Sequence, residues 1–309
     1  MEWNQPAWAF VLAGTSALLV SGALLAQATS GTPAGLPQDV KRNMDIEFAK
    51  PDGKPLCLDL FVPEKADGPL PLVIWVHGGA WSAGNKEWQP IPALPMTARG
   101  YAVATIDYRL SGEVKWPAQI YDCKAAVRFL RANAKKYNLD PDRFGAWGSS
   151  AGGHLVAMLG TSGDVKELEG DLGNPGVSSR VQAVCDWFGP TDLMVLNNLN
   201  PVKGLLGGPA KDNPEKARQA NPITWVTKDD PPFLIMHGEQ DKAVSIEQSQ
   251  LLNDALKKAG VWVKFVPIPG VGHDFRGPEG KQAVPWAILK PEYLKIANDF
   301  FDEKLKGKK

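Results

Sequence analysis

The sequence predicts a doubly wound α/β domain, with a mostly parallel sheet and helices on both faces. Continuous apolar runs of strand length recur, as at 72–76 and 233–236, the pattern of strands buried on both faces. They alternate with stretches of helical periodicity, such as 118–136 and 246–259, at the spacing of parallel crossovers. The segments richest in Gly, Ser, His and Asp follow directly on the apolar runs, where the functional loops of such a sheet gather.

The elements follow in order. Residues 44–49 and 56–62 read as two strands joined by the turn Pro51-Asp52-Gly53-Lys54. The buried strand at 72–76 ends in His77-Gly78-Gly79-Ala80-Trp81, and the next, 101–106, ends at Asp107-Tyr108-Arg109. The helix at 118–136 carries Ile120, Ala125, Val127, Phe129 and Leu130 on its apolar positions. A strand at 144–147 runs into a helix at 151–159. Another strand, 181–187, leads to Phe188-Gly-Pro-Thr-Asp192. The stretch 193–230, rich in Asn, Pro, Gly and Lys, reads as a small cap-like insertion with at most short helices. The strand 233–236 ends in His237-Gly238-Glu239-Gln240-Asp241, and the helix 246–259 stops at Gly260. A last strand, 262–267, precedes Gly270-Val-Gly-His273, and a closing helix spans 291–305 with Pro291 in its first turn.

With 309 residues, 44% of them hydrophobic, the chain can bury one large core. Its formal net charge is zero, with no long basic run before the C-terminal tail, which argues against nucleic acid or an anionic surface as partner. No internal repeat or low-complexity tract is present. The apolar stretch 9–26 is followed by Ala26-Gln27-Ala28, a small-x-small pattern that predicts a signal peptide over 1–28 and a secreted or periplasmic protein. Its opening departs from the usual pattern, with Glu2 and no Lys or Arg. After cleavage no stable membrane association is expected. Residues 29–43 read as a linker and 44–309 as the domain itself. The spacings of Cys57, Cys123 and Cys185 match no metal pattern. In an exported chain one pair can oxidise, and Cys123–Cys185, between a helix and a strand, is the pair expected. The alternative is three buried thiols.

Gly148-Ser149-Ser150-Ala151-Gly152 stands between a strand and a helix. A serine nucleophile on so sharp a turn needs small residues two positions before and two after it. Gly148 and Gly152 fill those places, which selects Ser150 over Ser149. A serine hydroxyl needs a positioned base. Of the four histidines, His77 opens a glycine-rich loop, and His154 lies one helical turn past Ser150 and points down its helix. His237 ends a strand and reads as a packed structural residue. His273, in a glycine-flanked loop after the last strand, is the candidate base. Asp241 is the candidate acid, giving the order Ser150, Asp241, His273; Asp192 and Glu239 compete for that place. The backbone N–H groups of Gly79, Ala80 and Ala151 are candidates for an oxyanion hole. Trp81, Trp116, Trp187, Trp225 and Trp286 fall in or near loops, and Trp81 and Trp187 are taken as cleft residues for an apolar or aromatic group. No cofactor is expected.

His77-Gly-Gly-Ala-Trp81, Asp107-Tyr-Arg-Leu110, Gly148-Ser-Ser-Ala-Gly-Gly-His154, His237-Gly-Glu-Gln-Asp241 and Gly272-His273 resemble the secreted bacterial carboxylesterases of the α/β-hydrolase superfamily. The resemblance is closest to the group with feruloyl and acetylxylan esterases, relatives of the hormone-sensitive-lipase-like esterases. It covers nearly everything from Met44 onward. It implies an α/β-hydrolase fold and a serine carboxylesterase acting on short-chain or aromatic esters, either small molecules or groups linked to polysaccharide. Where the lipase-like relatives carry His-Gly-Gly-Gly, this chain has His77-Gly-Gly-Ala-Trp81, a departure that speaks against lipase activity. The rival readings are a serine peptidase or amidase of the same fold, and a non-catalytic hydrolase-fold binding protein, although such proteins lose part of a triad that is complete in this sequence.

Overall fold

The structure, a computed structural model, describes residues 39–88, 91–275 and 290–307. Its strands are β1 (Val40–Ala49), β2 (Leu56–Pro63), β3 (Leu70–Val76), β4 (Ala102–Ile106), β5 (Leu139–Ser149), β6 (Ala183–Trp187), β7 (Phe233–Gly238) and β8 (Val263–Ile268). They form one sheet in the order β1-β2-β4-β3-β5-β6-β7-β8. β1 and β2 pair antiparallel, as do β2 and β4; from β4 to β8 all neighbours are parallel.

Two helical layers cover the sheet. Every residue of β3 is buried, and alternate side chains feed opposite faces. Leu72, Ile74 and Val76 pack with α1 (Ala118–Ala132), α2 (Ala151–Thr161) and α5 (Glu247–Ala259). Val73 and Trp75 pack instead with Leu94, Met96 and the closing helix α6 (Pro291–Lys306). The stretch 193–230 holds two short helices, α3 (Asn200–Leu206) and α4 (Pro214–Gln219). Trp116, just before α1, ties this insertion to the body: its N–H donates to Leu205 O (2.9 Å) and its indole to Gln219 Oε1 (3.0 Å).

β3 lies between β4 and β5, so the chain leaves β3 toward one side and returns to the sheet on the other. Loops that leave such a point diverge and open a crevice at the strands' carboxyl ends. Val76 and Gly148 are register partners there, which sets the His77 loop beside the Ser150 turn.

Three boundaries differ from expectation. β1 begins at Val40, inside the stretch expected as a linker, because the polar run Lys41-Arg42-Asn43 on this edge strand hides its start. β5 begins at Leu139 and α1 ends at Ala132, where the sequence suggested a helix to 136. The segment expected as signal peptide, the first part of the linker, and Trp286 lie outside the described residues. Among the described residues no helix is long and apolar enough to cross a membrane.

The expected Cys123–Cys185 disulfide is not formed, and all three cysteines are free. Cys123 sits in the core on the α1 face and Cys185 in the core on the α6 face, so the sheet stands between the two thiols. Protein purified without reductant and then unfolded should therefore yield three thiols per chain to a disulfide-exchange reagent. A yield of one would contradict this packing.

Candidate active site

Ser150 has φ 55° and ψ −120°, a backbone conformation that L-residues avoid. Such a residue costs on the order of 1–3 kcal/mol and persists only where its surroundings fix it. Here its N–H donates to Trp187 O (2.9 Å) and its carbonyl accepts from His154 N (3.0 Å) in the first turn of α2. The two glycines are obligatory. A Cβ on Gly148 would sit 2.4 Å from Gly152 O, and one on Gly152 only 2.1 Å from Val76 O. Ser149 is buried, whereas Ser150 is partly exposed.

His273 Nε2 lies 3.0 Å from Ser150 Oγ, and His273 Nδ1 lies 2.6 Å from Asp241 Oδ2. A carboxylate can only accept, so Nδ1 carries the proton and Nε2 is free to accept from the serine. The arrangement can take up the Ser150 proton and stabilise the resulting imidazolium against a buried carboxylate. The Asp241 and His273 loops are held together by Glu239 N donating to Ile268 O (3.0 Å) and Gln240 N to Val271 O (2.9 Å). Gly238 permits that approach, since a Cβ there would meet Val271 O at 2.5 Å. Phe188 and the His273 ring pack edge to face, with centroids 4.8 Å apart.

Asp241 is fixed on all sides. Its Oδ1 accepts from the N–H groups of Ala243 (2.8 Å) and Val244 (2.9 Å). Its Oδ2 faces His273 and, at 3.3 Å, Nε2 of the fully buried His237. His237 Nε2 also lies 2.8 Å from Val244 O, which can only accept, so the proton is on Nε2; Ser249 Oγ, 2.7 Å from Nδ1, supplies the other bond. Burial alone would raise the Asp241 carboxyl, but the hydrogen bonds from His237 and His273 outweigh it and hold the group well below the usual carboxylate range. The competing acids are elsewhere engaged. Asp192 Oδ1 accepts from Met194 N (2.9 Å) and Asn221 Nδ2 (3.1 Å), and Glu239 is exposed.

The His77 loop runs alongside the elbow. A Cβ on Gly78 would lie 3.4 Å from Ser150 Cβ. Gly79, Ala80 and Trp81 all have positive φ (104°, 55° and 57°), which for the two residues with a Cβ costs about 1–2 kcal/mol each. Among the described residues no carbonyl accepts from the N–H of Gly79 or Ala80. His77 donates through Nδ1 to Gly78 O (2.7 Å) and stacks on Tyr108 at 4.3 Å, and the Tyr108 hydroxyl donates to His77 O (3.1 Å). Burial lowers the His77 imidazole to about 4, so it is neutral and structural. Ala151 N–H, at the start of α2, has no intrahelical carbonyl to reach.

Trp81 and Trp187, taken from sequence as cleft residues, are instead buried, at 2% and 0% exposure. Trp81 turns inward to His154, and Trp187 packs between Trp147 and Phe275. Sequence reasoning missed Trp88, half of whose surface is exposed and whose ring lies against Gly79 and Gly84. His237 is the packed, hydrogen-bonded residue expected, and its further approach to Asp241, four residues on, was not read from the sequence. Among the described residues no group of three or more His, Cys, Asp or Glu side chains is placed to hold a metal ion.

A sheet in this order with an elbow serine at the switch point defines an α/β-hydrolase. Within that class the chain belongs to the BD-FAE family, whose model matches residues 58–256. It is similar to Esterase LipQ of Mycobacterium tuberculosis, at 33% identity over 241 residues, covering 75% of this chain and 56% of LipQ. Among solved structures it is similar to a truncated carbohydrate esterase from gut microbiota, at 34% identity and TM-score 0.76, covering 88% of this chain and 99% of that one. An acetyl ester-xyloside bifunctional hydrolase from Caldicellulosiruptor lactoaceticus follows at 27% identity and TM-score 0.69, with 81% and 88% covered. The chain spans about half the length of the curated relatives it matches.

The two acids separate by mutation. Asp241→Asn should fold and lose on the order of 10⁴ in kcat, because His273 would be held in the wrong tautomer. Asp192→Asn should change Tm more than rate, since its carboxylate orders the loop to Asn221. Measured kcat and Tm for both variants check this; an active Asp241→Asn beside a folded, inactive Asp192→Asn would reverse the assignment.

Proposed function

We propose that the chain is a serine carboxylesterase that cleaves short-chain or aromatic esters through an acyl-enzyme. The observation that carries this reading is the continuous line Asp241–His273–Ser150, ending on a serine held at positive φ. Ser150 Oγ attacks the ester carbonyl carbon while its proton passes to His273 Nε2. The carbonyl oxygen becomes an oxyanion facing the N–H groups of Gly79, Ala80 and Ala151. The intermediate collapses, the C–O bond to the alcohol breaks, and the alcohol leaves with the proton from His273. Water then repeats the sequence on the acyl-serine, with His273 as base, and releases the acid. Asp241 stays ionised throughout, consistent with its depressed carboxyl.

The relatives support this chemistry: their names describe an esterase, a carbohydrate esterase and an acetyl ester-xyloside hydrolase. Acetyl or feruloyl groups on plant polysaccharide are therefore the favoured substrates, with Trp88 as an aromatic face beside the oxyanion loop. Export, from the Ala26-Gln27-Ala28 pattern, would put the enzyme where such polymers are met. A panel of p-nitrophenyl acetate, methyl ferulate, acetylated xylan and an aminoacyl-naphthylamide tests the reading. The esters should turn over and the amide should not. Turnover of the amide alone would favour a peptidase or amidase, and no turnover of any would favour a binding protein.

A further inference from the structure

Three consecutive positive-φ residues, Gly79 to Trp81, shape the oxyanion loop, and two of them are not glycine. Something outside the loop must hold them there. The Trp81 indole is the one side chain of the three that reaches inward with a polar atom. Its Nε1–H donates to His154 Nδ1 at 3.1 Å, with the rings perpendicular at 89° and 5.2 Å apart. Trp81 is 2% exposed and His154 is 0% exposed, so no water competes for this bond.

The other nitrogen of His154 reaches a different part of the chain. Nε2 lies 2.7 Å from the carbonyl oxygen of Ala220, just after α4. A carbonyl only accepts and an indole N–H only donates, so the two partners dictate one tautomer: the proton on Nε2, the lone pair on Nδ1. Burial lowers the imidazole to about 4, so it is neutral at working pH. A protonated ring would point an N–H at the Trp81 N–H. Trp116 packs on the same imidazole, 5.6 Å away, and its own N–H groups bond Leu205 and Gln219 of the insertion.

We propose that His154 is a positioning residue for the oxyanion loop: through Trp81 it holds the Gly79–Trp81 backbone in its donor-presenting conformation, and through Ala220 it makes that conformation depend on the insertion 193–230. His154 touches no substrate. It stands on the helix that carries Ser150 and Ala151, so the clamp fixes the loop relative to the nucleophile itself. This deepens the esterase reading and rests on it.

The test compares Trp81→Phe, His154→Gln and His154→Phe with wild type. Active sites are first titrated with diethyl p-nitrophenyl phosphate, so that misfolded molecules do not count. Trp81→Phe keeps most of the buried ring and removes only the donor. Per titrated site, its kcat on p-nitrophenyl acetate should fall about tenfold or more, with KM within about threefold, because a displaced donor acts on the oxyanion and not on the ground state. Affinity for a trifluoromethyl ketone, which forms the same oxyanion, should fall by the same factor. His154→Gln offers an acceptor and a donor in place of the two ring nitrogens and should retain most of the rate; His154→Phe should fall as far as Trp81→Phe. A Trp81→Phe rate per site within twofold of wild type, a loss confined to KM, or equal rates for His154→Gln and His154→Phe would overturn the clamp. If the variants do not fold, ¹⁵N spectra of histidine-labelled wild type decide: His154 must carry its proton on Nε2, and a proton on Nδ1 overturns the proposal. Wild type that takes up no phosphoryl group sinks the esterase reading and the clamp together, whereas full titration with an unchanged Trp81→Phe rate sinks the clamp alone.

Discussion

The tightest constraint on a described glycine is at the start of α2, where the helix begins directly over the end of β3. A side-chain carbon on Gly152 would lie 2.1 Å from Val76 O and 2.6 Å from His77 O, so the elbow exists only because residues 148 and 152 have none. That contact sets the rest. It forces Ser150 to positive φ and brings the serine beside the loop after β3. Burial of every residue of α2 holds the turn in place despite its local strain. The same helix delivers His154 one turn later to the far side of the His77 loop.

The four histidines divide the work according to what surrounds them. His77 and His154 are buried among apolar rings, neutral, and each is fixed in one tautomer by a backbone carbonyl. His237 is buried too, and its Nε2–H turns toward Val244 O and Asp241. Only His273 sits beside a carboxylate on one nitrogen and a partly exposed hydroxyl on the other. Only this imidazole therefore links a carboxylate to an accessible hydroxyl, and the other three hold the groups that frame it.

Much of this was legible in the sequence, for physical reasons. The buried parallel strands announce themselves as unbroken apolar runs, and the elbow glycines are forced by sterics that leave no substitute. The order Ser150, Asp241, His273 follows from where a sheet of this kind puts its loops. What stayed hidden depended on direction. β1 is an edge strand, and residues 40–43 read as a linker because Lys41 and Arg42 are exposed and only Val40 of the four is buried. Trp81 lies in a loop by sequence, yet its ring turns inward to His154, a choice made by backbone dihedrals that composition does not reveal. Cys123 and Cys185 suit a helix-to-strand bridge by type, but opposite faces of a sheet cannot be read from spacing. Trp88 has no periodic signal at all.

On the proposed mechanism the strained residue of the elbow, Ser150 and not its neighbour Ser149, bears the acyl group. Peptide mapping by mass spectrometry after reaction with a serine-directed fluorophosphonate tests it most directly. One adduct per chain is expected, on Ser150, and none in protein carrying Ser150→Ala. Labelling of Ser149, or undiminished labelling of Ser150→Ala, would contradict it.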